Sequence, residues 1–111
     1  MSWEKLTDSS FVALPRGYLL KFPASAPFES EVVMMICGHP EGGRRLASVA
    51  LISITGYCAG INPYVEFPST AIEEEAGISR KWLIENWTKW VWPKGNVSDV
   101  LVRKELDAAD L

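Results

Sequence analysis

The chain has 111 residues, 48% of them hydrophobic and 23% charged, a balance that permits one packed domain over 1–111 and speaks against disorder. The 14 acidic and 11 basic residues leave a net charge of −3, which speaks against nucleic acid as the partner, because phosphate neutralisation needs a clustered basic surface. No apolar run approaches the roughly 18–20 residues that span a bilayer, and MSWEKLTDSS lacks the apolar stretch of a secretory signal, so a soluble cytoplasmic protein with no membrane contact is expected.

The first segment, FVALPRGYLLKF, predicts two strands around Pro15-Arg16-Gly17, where Pro fixes φ and Gly accepts positive φ. A single long bent strand is the alternative. Pro23 and Pro27 then bracket a loop, FPASAPF. EVVMMICG and RRLASVALISITGYCAG are apolar runs joined by HPEGG, and they predict a hairpin at the middle of a sheet with both faces covered. INPYVEFP is a weaker extended segment. Thr70 and Glu73 have capping-box spacing, so TAIEEEA predicts a short helix closed by Gly77. Ser79 caps a second, longer helix from Arg80 to about Trp92, which Pro93 stops. VSDVLVRKE is the last predicted strand, and LDAADL follows as a tail. Hairpins followed by helices give an α+β fold: an antiparallel sheet with one short and one longer helix, both in the C-terminal half, packed on one face.

Four of the five tryptophans fall within WLIENWTKWVW. At about 100° per residue, Leu83, Ile84, Trp87, Trp90 and Val91 share an apolar stripe, so Trp87 and Trp90 are expected in the core. Trp82 projects with Asn86 and Lys89, and Trp92 with Glu85 and Thr88. For these two, packing under a loop or against the last strand competes with exposure as anchors of a protein interface, where Trp is enriched.

No catalytic constellation emerges. His39, the only histidine, sits in a predicted turn, and Cys37 ends an apolar run. A nucleophile needs a base within reach and a third group to orient it, and no such group is implied. One His and two distant Cys do not make a metal site, and PEGGRR lacks the context of a phosphate loop. No cofactor is called for, and Cys37 and Cys58 are expected as buried thiols. Glu73, Glu74 and Glu75 are adjacent on a predicted helix and point apart, which suits a solvated face better than paired acid–base chemistry. With Glu66 and Glu85 they would form an acidic patch if the short helix folds back beside the longer one. Such a patch would steer a basic partner.

The segment from Gly56 to Pro93 carries Gly56-Tyr57, Ala59-Gly60, Phe67-Pro68, Trp82-Leu83, Asn86-Trp87, Trp90 and Trp92-Pro93. In these features it resembles the immunity protein 45 family of bacterial polymorphic toxin systems. The resemblance covers about the last half of the chain. It implies a small cytoplasmic binder that is not an enzyme and that neutralises one specific toxin, a nuclease among the candidates, in competition between bacteria. The partner-binding residues expected on this basis are Glu66, Glu73, Glu74, Glu75, Trp82, Glu85 and Trp92. A small enzyme using Cys37 or His39 is the second hypothesis. A self-associating subunit, a homodimer through an edge strand or through Trp82 and Trp92, is the third.

Overall fold

The computed structural model describes residues 3–25, 28–41, 45–56, 59–60, 63–73 and 77–105. Among them run nine strands: β1 (Glu4–Lys5), β2 (Ala13–Leu14), β3 (Leu19–Pro23), β4 (Glu31–Glu41), β5 (Arg45–Ser53), β6 (Pro63–Phe67), β7 (Ile72–Glu73), β8 (Gly77–Ser79) and β9 (Leu101–Arg103). One α-helix, α1 (Arg80–Trp90), lies between β8 and β9. The six-stranded antiparallel sheet has the order β1-β9-β3-β4-β5-β6, and a smaller sheet has the order β2-β8-β7. The α+β expectation holds, with the helix packed against the sheet.

The apolar runs behave as central strands should. On β4, Val32, Met34 and Ile36 alternate inward and are buried. Ile36 lies opposite Leu51, and Met34 opposite Ser53, whose hydroxyl is satisfied by donating to Thr55 O at 3.0 Å. From β3, Leu20 and Phe22 complete this face, and Val102 of β9 sits opposite Leu20. The helix packs on this face, and the expectation that both faces would be covered holds only in part: on the other face Leu19, Ala50 and Arg103 are buried. Val33, Met35 and Ile52 point the other way and stay half-buried. A single 11-residue helix has too little apolar surface to cover two faces.

Several local expectations are corrected. Pro15-Arg16-Gly17 does separate two strands, with Gly17 at φ 93° and Tyr18 N–H donating to Pro15 O. The two strands then part, β2 to the small sheet and β3 to the large one. His39 belongs to β4 opposite Ser48, not to a turn. Among the described residues of TAIEEEA, 70–73, no α-helix forms. Ser69–Ala71 make a single 3-10 turn, and Ile72 then pairs with Ile78 as β7 meets β8. Gly77 opens β8 instead of closing a helix. A Cβ there would collide with Leu14 O, so glycine is what lets β2 and β8 approach. The last strand is shorter than VSDVLVRKE: Val97–Asp99 form a 3-10 turn before β9. Cys58, Gly42, Gly43, Glu74, Glu75 and the tail LDAADL lie outside the described residues.

Helix α1 starts where its sequence says it should. Ser79 is the cap, its hydroxyl accepting from Trp82 N–H at 3.2 Å. At the other end Val91 N–H and Trp92 N–H both donate to Trp87 O, and Pro93 prevents continuation. The buried stripe is Leu83, Trp87 and Val91, spaced i, i+4, i+8. Trp90, expected in the core, is half-buried at the stripe's border. One further residue ties the helix to the N-terminal segment. Arg80 Nε donates to Phe11 O at 2.7 Å, its Nη1 to Leu6 O at 3.2 Å, and its backbone N–H to Val12 O at 3.1 Å.

Candidate partner-binding surface

The four tryptophans of residues 82–92 divide between two aromatic chains, one through Trp82 and Trp90, the other through Trp87 and Trp92. On one flank, Phe67 of β6 meets Trp82 edge-on at 5.7 Å, and Trp82 meets Trp90 at 5.7 Å. Asn86 stands between those two tryptophans on the helix, and its side-chain amide donates to Trp82 O at 2.9 Å. On the other flank, Trp87 meets Phe22 edge-on at 4.9 Å. Phe22 is also near Trp92 at 6.3 Å, Trp92 near Phe28 at 6.0 Å, and Phe28 near Tyr64 at 5.3 Å. Such edge-to-face pairs add specific attraction to burial.

Tyr64 reaches this flank because the β5–β6 register slips between Leu51 and Ile52, which moves Tyr64 out of strict alternation. Its hydroxyl donates to Val91 O at 2.6 Å, at the C-terminal end of the helix. Burial pushes the Tyr64 phenol above its ordinary pKa.

Trp92 opens onto a cleft of about 390 Å³. Its floor is aromatic: Phe22 and Trp87, both nearly inaccessible, together with half-buried Trp92. Pro23 and Ala24, at the end of β3, form one wall. Ser25, Lys94, Asn96 and Asp99 are exposed at the rim. The turn after the helix shapes the opposite wall. Gly95 N–H donates to Trp92 O at 3.1 Å, and a Cβ at Gly95 would stand 2.8 Å from Trp92 Cδ1. Glycine therefore lets the chain fold tightly over the indole. Asn96 Oδ1 accepts from Ser98 N–H at 3.0 Å and fixes the start of the following 3-10 turn, which carries Asp99.

The other residues singled out from sequence lie elsewhere. Trp82 is half-buried between Phe67 and Trp90, on the flank away from the cleft-lining aromatics. Glu85 is exposed on α1, Glu66 is exposed on the edge strand β6, and Glu73 is half-buried on β7 opposite Gly77. Glu74 and Glu75 lie outside the described residues. Trp92 is the member of the expected set that lines the cleft. Apart from Trp87, the remaining lining comes from two stretches with no motif of their own, residues 22–25 and 94–99, which only the tertiary fold brings together. Gly95 two residues after Trp92-Pro93 was the available signal for a tight turn there.

Cys37, the candidate nucleophile, is half-buried on the sheet face opposite the helix. Cys37, Ala50 and Glu66 form one row across β4, β5 and β6. Burial first, and the Glu66 charge in addition, push the thiol above its ordinary pKa, against a lowering backbone hydrogen bond. A raised pKa means less thiolate at neutral pH, the opposite of activation. Among the described residues no three His, Cys, Asp or Glu side chains group as metal ligands. No described helix is long and apolar enough to cross a membrane.

Comparison with known proteins adds one finding. The sequence pattern of the family described as Immunity protein 45 matches residues 6–102, reaching well into the N-terminal half. No curated protein and no solved structure matches the chain.

Proposed function

The chain belongs to the immunity protein 45 family, and from that membership we propose that it binds one bacterial toxin and neutralises it by direct contact. The match over residues 6–102 carries the proposal. The half-buried tryptophans at the flanks of α1, and a Cys37 thiol whose pKa burial raises rather than lowers, both suit a binder better than a catalyst. The work is done in the cytoplasm, in competition between bacteria, where the protein shields its own cell from the toxin.

Charge supports a basic partner. The net charge is −3, which favours approach of a toxin whose active site is basic, as a nuclease site that holds phosphate is; the single patch expected of Glu66, Glu73 and Glu85 loses its premise, because Glu73 lies on β7 and Glu66 on the sheet face away from α1. Charge reversal at Glu73 and Glu75 is expected to slow association and flatten its salt dependence. Unchanged rates would remove these glutamates from the interface.

The deciding experiment is capture of the tagged protein from its own cells with identification of what co-purifies. One partner in equal amount, toxic when expressed alone, is the expected result. The complex should bury at least about 1,200 Å². A chain that purifies alone, at twice its monomer mass, would instead favour a self-associating subunit.

A further inference from the structure

Strand β6 ends one side of the six-stranded sheet, and among the described residues no strand pairs with its outer side. The register tells which of its backbone groups face outward. Ile36 bonds towards β3, its N–H donating to Tyr18 O at 2.9 Å. The bonding side alternates from residue to residue along a strand. Cys37 therefore bonds across to Ala50, Leu51 to Val65, and Val49 to Phe67. Ile54 N–H donating to Val33 O, on the same side of β4 as Cys37, agrees. Glu66, between Val65 and Phe67, is left with its N–H and C=O aimed away from the sheet. A second feature lies beside that edge. Phe67 touches Trp82 and the Tyr64 hydroxyl donates to Val91 O, so α1 lies alongside β6 and is tied to it near both ends. Trp87 points inward, to Phe22 of β3. Trp82, Asn86 and Trp90 share the flank above the edge, at spacing i, i+4, i+8. Trp82, Trp90 and Val65 are all half-buried, so part of each still offers apolar surface to a neighbour.

Outward N–H and C=O groups on a sheet edge are met by an extended chain, as in strand addition. The side chains of that chain follow from the pleat. The residue opposite Glu66 lies with it on the face away from α1, where Glu66 is exposed at the end of the row Cys37–Ala50–Glu66. A lysine or arginine there is attracted, and an acidic residue is repelled. The residues on either side of it turn towards α1, beside Val65 and Phe67 and next to Trp82 and Trp90, where apolar side chains fit. β6 itself reads apolar–acidic–apolar over Val65, Glu66 and Phe67, so a second copy on this rung would set Glu66 against Glu66. Two residues on, Pro68 has no N–H to give. An edge charge, a register slip at Leu51–Ile52 and flanking prolines protect an edge from indiscriminate pairing. None of them bars a strand of opposite charge. We infer that β6 and the Trp82–Trp90 flank of α1 accept a strand of the protein partner that reads apolar–basic–apolar, an inference that rests on the toxin-binding function above and names how it is exercised.

The test has a partner arm and a partner-free arm. In the first, Glu66→Lys should raise the Kd for the captured partner about tenfold. Glu66→Pro should raise it about a hundredfold, because it removes the outward N–H as well as the charge. Proline costs no bond to β5 at an outward-facing edge position, so both variants should melt near the parent temperature. Hydrogen exchange at the Glu66 amide should slow in the complex. An unchanged partner Kd in either variant would overturn the inference and leave the toxin-binding function standing. In the second arm, the ¹⁵N-labelled protein is titrated with the blocked peptide Thr-Val-Lys-Val-Thr, with Thr-Val-Glu-Val-Thr as control. Saturable NMR shifts of the Glu66 amide and the Trp82 indole N–H are expected, with Kd on the order of 1 mM and none with the control. Equal shifts from the two peptides, or none at Glu66, would overturn the inference. So would a dimer of this chain that Glu66→Pro dissolves, since a second copy would then be the occupant. A saturable lysine-peptide site in a chain that captures no partner would support the strand groove and count against the toxin.

Discussion

Trp87 and Trp92 sit five residues apart and share Phe22 as a neighbour, yet their removal should have very different effects. Trp87 is 1% exposed and meets Phe22, itself 2% exposed, at 87°. Trp87→Ala deletes a fully buried ring between helix and sheet and leaves a cavity that rigid strands cannot close. Such truncations cost about 3–5 kcal/mol, of which the edge-to-face pair supplies roughly 1. Against a total stability of about 5–15 kcal/mol, that is a large fraction. At about 4 °C per kcal/mol for a chain of this size, the melting temperature should fall by about 12–20 °C. Trp92 is only half-buried and borders the open cleft, so Trp92→Ala should cost about 1–2 kcal/mol. Urea unfolding followed by far-UV circular dichroism measures both, since each substitution removes a fluorophore. The denaturant slope should not change. A Trp87→Ala cost below about 1.5 kcal/mol, or equal to that of Trp92→Ala, would refute the packing described.

Three further outcomes follow from other parts of the molecule. Gly56 has φ 70°, and a Cβ there would collide with the Glu29 carboxylate, so Gly56→Ala should destabilise by about 1–3 kcal/mol in the same urea assay. Arg80→Met should cost about 2–3 kcal/mol by removing donors from the Phe11 and Leu6 carbonyls, and hydrogen exchange should rise most in residues 6–14. Because burial raises the Cys37 pKa, its thiolate fraction at pH 7 is below that of a free cysteine, and folding favours the neutral thiol. Its contribution to stability is therefore present below the unfolded-state pKa and is lost as pH rises towards the folded one. Iodoacetamide labelling in a Cys58→Ser background should be slower than for a model thiol at pH 7 and accelerate at higher pH. Labelling at the model rate would contradict the burial.

What could be read from the sequence was local. The hairpin of β4 and β5 follows from two long apolar runs around glycines, and α1 from Ser79, an apolar stripe and Pro93. The TAIEEEA segment misled because Thr70, Glu73 and the glutamate run all favour a helix at short range. The pairing of Ile72 with Ile78, and of Ile78 with Leu14, overrode that preference, and pairings of this kind depend on residues up to 64 positions apart. Trp90 lies at the margin of the helical stripe, where a wheel cannot tell burial from contact with Trp82. Trp92 was legible as an unplaced tryptophan. Its cleft was not, because the walls come from residues 22–25 and 94–99, which meet only after the sheet forms. The immunity-family motif was legible in the C-terminal half. Part of it now has a physical reason, since Gly56 and Gly60 both hold φ 70° and Gly60 N–H donates to Ser53 O at 2.8 Å.

The position of β9 governs when the molecule can exist at all. It is made last among the nine strands and is inserted between β1 and β3, which are made first and third. Glu4 pairs with Val102, and Leu20 pairs with that same residue from the other side. During synthesis β1 therefore has no neighbour until residues 101–103 have left the ribosome, and the sheet stays open at that seam. Closing it brings together segments nearly 100 positions apart, a slow step by the entropy of loop closure. A nascent chain stalled before residue 101 would hold β1 and β3, the two edges of the seam, with no strand between them. Such a chain would be exposed to proteolysis until residues 101–103 are added and β9 fills the seam.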